Sequence, residues 1–162
     1  LEYSNVGYKE NTMGADRSEQ LAFLGLKTFG PDMWIEGEIV TEMNIRIFPG
    51  APKYYEDNTG YKASGSVMMF DFLLENVRYF SPSTQGYFGF GPLLRYSKFD
   101  VLMLQNGDTA PKRYKLEDIA LGATFQLGLG AQLGPVALRT EANYFWEKKT
   151  YVGFSLSAQI GF

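Results

Sequence analysis

The last thirteen residues constrain the fold most. From Thr150 to Phe162 the even positions read Thr, Val, Phe, Leu, Ala, Ile, Phe, and the odd positions read Tyr, Gly, Ser, Ser, Gln, Gly. Apolar side chains at every second position put one apolar and one polar face on an extended strand. The run exceeds the ~5–6 residues usual in globular proteins. It also ends on an aromatic ring, where a free terminus would ordinarily fray.

The pattern recurs along the chain. Val136–Trp146 sets Val, Leu, Thr, Ala, Tyr and Trp against a face holding Arg139, Glu141 and Asn143. Ile119–Leu133 sets Ile119, Leu121, Phe125, Leu127 and Leu129 against Gly122, Thr124, Gln126, Gly128 and Gly130. Gly134-Pro135 between these runs is a turn signal. Ile35–Ile47, Ser66–Glu75 and Tyr87–Ser97 alternate in the same way. Leu21–Thr28 is an apolar run of unresolved facing, and Leu1–Lys9 is a weak strand. The total is eight.

Composition fits this pattern. The 162 residues are 45% hydrophobic, and the mean hydropathy is −0.19. No stretch approaches the ~20 consecutive apolar residues of a membrane helix, but a membrane barrel needs only alternate residues to be apolar. The net charge of −3 argues against nucleic-acid binding. With no Cys and no His, the chain has no disulfide, thiolate zinc site or His-based nucleophile machinery. The opening Leu1-Glu2-Tyr3-Ser4 has neither a basic n-region nor an apolar h-region. That is consistent with a cytoplasmic protein or with a mature chain whose signal peptide has been removed.

A soluble lipid-binding barrel or sandwich would also alternate, with its apolar face inward. Three observations favour a transmembrane barrel. The polar faces are rich in Gly, Ser, Ala and Gln, which suits the crowded inside of a narrow barrel. Connections are short at 29–33, 81–86 and 133–135 and long at 49–64 and 99–116 (147–149 is short again), as in barrels with short inner turns and long outer loops. The aromatics also sort into two belts. Phe29, Trp34, Tyr79, Phe80, Tyr87, Phe88 and Phe162 fall near one rim, and Phe48, Tyr96, Phe99, Tyr144 and Trp146 near the other. Bilayer interfaces reward such belts.

The strand ending Ile160-Gly161-Phe162 and the segment Tyr87-Phe88-Gly89-Phe90-Gly91-Pro92 resemble the small eight-stranded outer-membrane barrels of Gram-negative bacteria, the OmpA/OmpX/OmpW-like superfamily. The resemblance spans the whole chain as a pattern. It implies one all-β domain over 1–162, an eight-stranded antiparallel up-and-down transmembrane β-barrel. It implies a mature, monomeric protein of the bacterial outer membrane with no cofactor and no metal. It also implies outer-membrane lipids and lipopolysaccharide as surroundings, and a C-terminal strand read by the barrel-assembly machinery. Pro92 departs from the pattern because it removes a ladder donor where a closed barrel has no free edge, so a bulge is expected there.

Eight strands leave an interior just wide enough for side chains to fill it. The expected inward charges are Glu36, Glu38, Glu42, Arg46, Asp71, Glu75, Arg95, Arg139 and Glu141. Charges removed from water must be paired, and simple register predicts an Asp71–Arg95 bridge. Gly128, Gly130, Ser155 and Ser157 leave Arg139 room to cross the lumen. A plugged lumen implies a structural or surface-interaction role, and the alternative is a narrow channel for small or apolar solutes. Barrels with lipid-modifying or protease activity use His, which this chain lacks. The row Glu36, Glu38, Glu42 reads as lumen network rather than as a catalytic pair, so the protein is not expected to be an enzyme. Lys98, Lys112, Arg113, Lys115, Lys148 and Lys149 gather at the long-loop rim with Lys53 and Lys62. There they could meet lipopolysaccharide phosphates or simply solvate the loops.

Overall fold

The structure, a computed structural model, describes residues 1–12, 15–32, 39–104 and 109–160. Eight strands form a closed barrel in sequence order. They are β1 (Glu2–Thr12), β2 (Ala15–Asp32), β3 (Ile39–Pro49), β4 (Ser64–Ser81), β5 (Thr84–Met103), β6 (Lys112–Leu133), β7 (Val136–Trp146) and β8 (Thr150–Ile160), with a short helix α1 (Lys53–Thr59) between β3 and β4. Every pairing is antiparallel. The ring closes between β1 and β8 through the five pairs Glu2↔Ser157 to Val6↔Gly153. The Ala158 N–H also donates to the Leu1 carbonyl at 2.9 Å.

Side-chain alternation decides the facing. Ile45, Ile47, Phe70, Phe72, Phe90, Leu121, Leu127 and Phe154 lie outside, while Glu42, Asn44, Arg46, Asp71, Gln126 and Glu141 are buried inside. Polarity is therefore inverted relative to a soluble barrel. Facing was unreadable in β2 because both of its faces are apolar. Leu21 and Phe23 point inward, whereas Leu24 and Leu26 point out at 64% and 59% exposure. The inward pair joins Val6, Tyr8, Val67, Met69, Leu93, Phe99, Val101 and Phe145 in an apolar interior layer toward the long-loop end.

Three local expectations change. The loop expected at 99–116 is largely ladder. Pairing continues through Asp100↔Lys115 to Met103↔Lys112, because alternation persists through Phe99, Val101 and Met103. Its connection is 104–111. The 49–64 loop contains α1, which ends at Gly60, whose φ of 72° suits glycine. No bulge forms at Pro92. The β4–β5 ladder skips the pairs between Asp71↔Leu93 and Leu74↔Phe90, then resumes in the same register. Gly91 makes this possible, since a Cβ there would lie 1.8 Å from the Phe72 carbonyl oxygen. Register shifts fall instead between Phe29 and Asp32 and between Tyr79 and Ser81.

Candidate functional site

The chemistry of the chain is concentrated in the barrel interior and at its long-loop mouth. Arg139, on β7, sits opposite Gly130 and Ser157, which leave room for its side chain. It crosses to β3 and β4, with NH1 3.0 Å from Glu42 Oε2 and NH2 2.6 Å from Glu75 Oε1. Its Nε lies 3.4 Å from Glu141 Oε1. Its guanidinium stacks 3.7 Å from the centre of the Tyr87 ring and 4.7 Å from that of Phe29. The Tyr87 ring rests on Gly128, where a Cβ would be 2.3 Å from Cζ. Its hydroxyl donates to Glu141 at 3.0 Å.

Lys27 reaches the same carboxylates from β2. Its Nζ lies 3.0 Å from Glu42 and 2.6 Å from Glu141 Oε2. Arg46 bridges Glu2 at 2.7 Å and pairs with Asp71. Asn44 donates to Glu42 at 2.7 Å and to Asp71 at 2.6 Å, and Gln126 donates to Glu75 at 2.8 Å. Five carboxyls thus share three cations in one buried cluster.

The expected Asp71–Arg95 bridge does not form. Arg95 stands opposite Met69, not Asp71, and Asp71 finds Arg46 and Asn44 across the β3–β4 pair. Arg95 instead organises a second cluster nearer the mouth. It bonds Glu147 at 2.7 Å, Asp118 at 2.9 Å, and the Tyr8 hydroxyl and Ser97 Oγ, each at 3.0 Å. Above it, Tyr54 and Tyr55 of α1 both donate to Glu10, and the Tyr55 ring packs 5.1 Å from that of Phe99. Burial, followed by the Glu10 carboxylate, pushes the Tyr54 phenol well above its ordinary value and keeps it a donor. Glu36 and Glu38 lie outside the described residues.

Sequence reasoning missed Lys27 because the facing of its strand was unreadable. It missed Glu2 and Glu10 because β1 was weak. It missed Glu147 because a turn was expected at 147–149, and Asp118 because it lies between the loop expected at 99–116 and the strand expected from Ile119. It placed the two tyrosines of α1 in the long loop expected at 49–64, because a seven-residue helix inside a long loop leaves no periodic signal.

At the mouth, a cavity of about 440 Å³ is lined by Lys9, Glu10, Tyr55, Arg95, Lys115 and Lys148, among others. Three of the rim cations already have acidic partners. Lys98 lies 3.0 Å from Glu117, Lys148 2.6 Å from Asp118 and Lys149 2.8 Å from Asp16. Burial raises the Asp118 carboxyl, but its hydrogen bonds from Lys148 and Arg95 outweigh this and hold it below the usual range. Arg113 and Lys115 are exposed, with no ion pair to a described residue, and Lys112 is also exposed. Outside, Tyr79, Phe88, Tyr144 and Trp146 are exposed and Tyr96 is half-buried. Trp34 and Phe162 lie outside the described residues. Tyr87 and Phe99, placed in the belts by sequence, are buried inside. Phe29 and Phe48 also turn inward, onto Arg139 and Phe23.

No family model matches the chain, and no curated protein does. Among solved structures it is similar to Ail, the attachment invasion locus protein of Yersinia pestis, in a crystal structure with the heparin analogue sucrose octasulfate. The TM-score is 0.58 at 10% identity, covering 97% of this chain and 90% of that one. A second crystal structure of Ail gives a TM-score of 0.58 at 12% identity, with the same coverage. The likeness is one of fold, a closed eight-stranded antiparallel barrel.

Proposed function

We propose that the chain spans a bacterial outer membrane as a monomeric barrel with a closed lumen, and that its long-loop end is a surface for anionic saccharides such as lipopolysaccharide. The inverted polarity carries this reading. Apolar side chains exposed along β2 to β8 are tolerable only where lipid replaces water. Inside, guanidinium and carboxylate groups that brace one another across the bore support a closed lumen rather than an open pore. The strand Thr150–Ile160 would be the element engaged by the barrel-assembly machinery.

At the mouth, Arg113 and Lys115 are the cations best placed to meet phosphate or sulfate, because Lys98, Lys148 and Lys149 are already paired. The Ail complex with a sulfated sugar supports a polyanionic saccharide as the kind of ligand such a fold can take. Four measurements test the proposal. The protein should require detergent for extraction, migrate faster on gels before boiling than after it, and show no unitary conductance in planar bilayers. Arg113→Glu with Lys115→Glu should weaken binding to lipopolysaccharide micelles more than Lys148→Glu with Lys149→Glu does. Solubility in plain buffer, or equal binding by the two double variants, overturns the corresponding half of the proposal.

A further inference from the structure

The outer face of the barrel is not uniformly rough. Register aligns Asn76, Phe88, Leu127, Ala142 and Phe154 in one row across β4–β8. In the next row toward the short turns, Arg78 aligns with Gly86, Leu129 and Thr140. Small side chains at Gly86, Thr140 and Ala142 lie between tall ones. The result is a depression of about 650 Å³ whose lining includes Asn76, Arg78, Phe80 and Phe154. It runs on into a second depression of about 290 Å³, which shares Phe88, Leu127, Ala142 and Phe154 and ends at Tyr144 and Val152. From Thr140 to Tyr144 the groove rises about 13 Å along β7, and it crosses about 19 Å from β4 to β8. With strands tilted by about 40°, that is a rise of roughly 10 Å across the membrane, within the roughly 15 Å half-thickness of a bilayer's hydrocarbon core.

One end of this apolar groove carries a charge. Arg78 is exposed on the outer face near the short-turn rim, and it makes no ion pair with a described residue. A guanidinium there is stable where a headgroup phosphate meets it, and its planar fork matches phosphate geometry. A groove of acyl length that starts at an unpaired guanidinium has the chemistry of one phospholipid.

We infer that this groove is a specific site for a phospholipid of the leaflet facing the short turns, with its phosphate on Arg78 and one acyl chain lying over Ala142. The inference rests on the membrane reading above. Ala142 is the gap that admits the chain, so a larger side chain there fills the groove without touching the barrel interior. Arg78 selects the phosphate, so its loss weakens retention without closing the groove.

The test uses the full chain in nanodiscs of phosphatidylethanolamine and phosphatidylglycerol, released into the gas phase for native mass spectrometry. The wild type should keep one phospholipid after the surrounding lipid has been stripped. Ala142→Phe and Arg78→Gln should each cut that retained fraction at least about fivefold, about half of the tenfold step expected for one good contact. Both variants should keep heat-modifiable migration, which separates a filled groove from a misfolded barrel. Equal retention by all three proteins means bulk lipid only and overturns the site. Equal retention of diacylglycerol, which lacks the phosphate, overturns the role of Arg78. A dimer lost in Ala142→Phe places a second copy in the groove and overturns the lipid. Failure to enter nanodiscs overturns the membrane reading itself, a result distinct from insertion without a retained lipid.

Discussion

Arg139→Met tests whether the buried cluster holds the barrel together. The substitution keeps most of the side-chain volume and removes the charge. In the wild type, Glu2, Glu42, Asp71, Glu75 and Glu141 share Lys27, Arg46 and Arg139, and each of these side chains is nearly or fully buried. Without Arg139, five carboxyls face two cations, and Glu75 loses its bond at 2.6 Å. Breaking a buried pair by removing one partner costs about 3–5 kcal/mol. The lost stacking on Tyr87 and Phe29 adds about 1 kcal/mol or more. With an m-value of about 2 kcal/mol/M in urea, a cost near 4 kcal/mol lowers the unfolding midpoint by about 2 M. The measurement is urea titration of the protein in lipid vesicles, read by loss of heat-modifiable migration and by tryptophan emission. Adding Glu75→Gln removes the stranded carboxylate. The double variant should therefore recover at least about 1 kcal/mol relative to additivity, within the 0.5–3 kcal/mol range of direct neighbours. A cost below about 1 kcal/mol for Arg139→Met, or strict additivity, refutes the idea of a shared buried network.

Other outcomes follow from the same geometry. Gly128→Val drives a side chain into the Tyr87 ring and should cost about 1–3 kcal/mol by overpacking, with most of it recovered in Gly128→Val plus Tyr87→Ala by the same titration. Tyr54→Phe with Tyr55→Phe removes the two hydrogen bonds from α1 to Glu10 and leaves the one from Tyr8, a loss of about 3 kcal/mol or more for bonds to a charged group. The expected readout is protease cleavage within 53–59 with migration unchanged. Asp118 has a lowered folded pKa, so its stabilisation is full above the ordinary carboxylate value and is lost as pH falls through the depressed one. Trp146 emission, read in a Trp34→Phe background, should therefore hold steady through the usual carboxylate range and change only below it, while adding Asp118→Asn abolishes the step.

The barrel was legible because period 2 is a property of the backbone, and six of the eight runs carried it clearly. The interior charges on those runs were legible for the same reason. Once Ile45 and Ile47 face out, Arg46 faces in. Partner choice was not legible. Whether Asp71 meets Arg46 or Arg95 depends on a two-residue offset that parity cannot see. Lys27 escaped because Leu21 and Phe23 are apolar toward an apolar upper interior, which erases alternation in β2. Pro92 misled because a skipped pair costs less than a bulge when Gly91 allows the Phe72 carbonyl to approach. The helix α1 is too short at seven residues to declare a period.

The seam between β1 and β8 has a consequence for assembly. Each of the other seven ladders joins strands adjacent in sequence, so each can zip as a hairpin once its turn exists. The seam alone joins residues such as Leu1 and Ala158, 157 positions apart, and closing so long a segment costs about 4 kcal/mol of chain entropy. It repays that with only five register pairs. The ring therefore shuts last, and until it does β1 and β8 are two raw edges in search of a partner. A chaperone that shields those edges, or a lateral gate that lends them a temporary partner, acts at the one joint the polypeptide cannot zip by itself. Under mechanical load or in denaturant, the same joint is where the cylinder unrolls first.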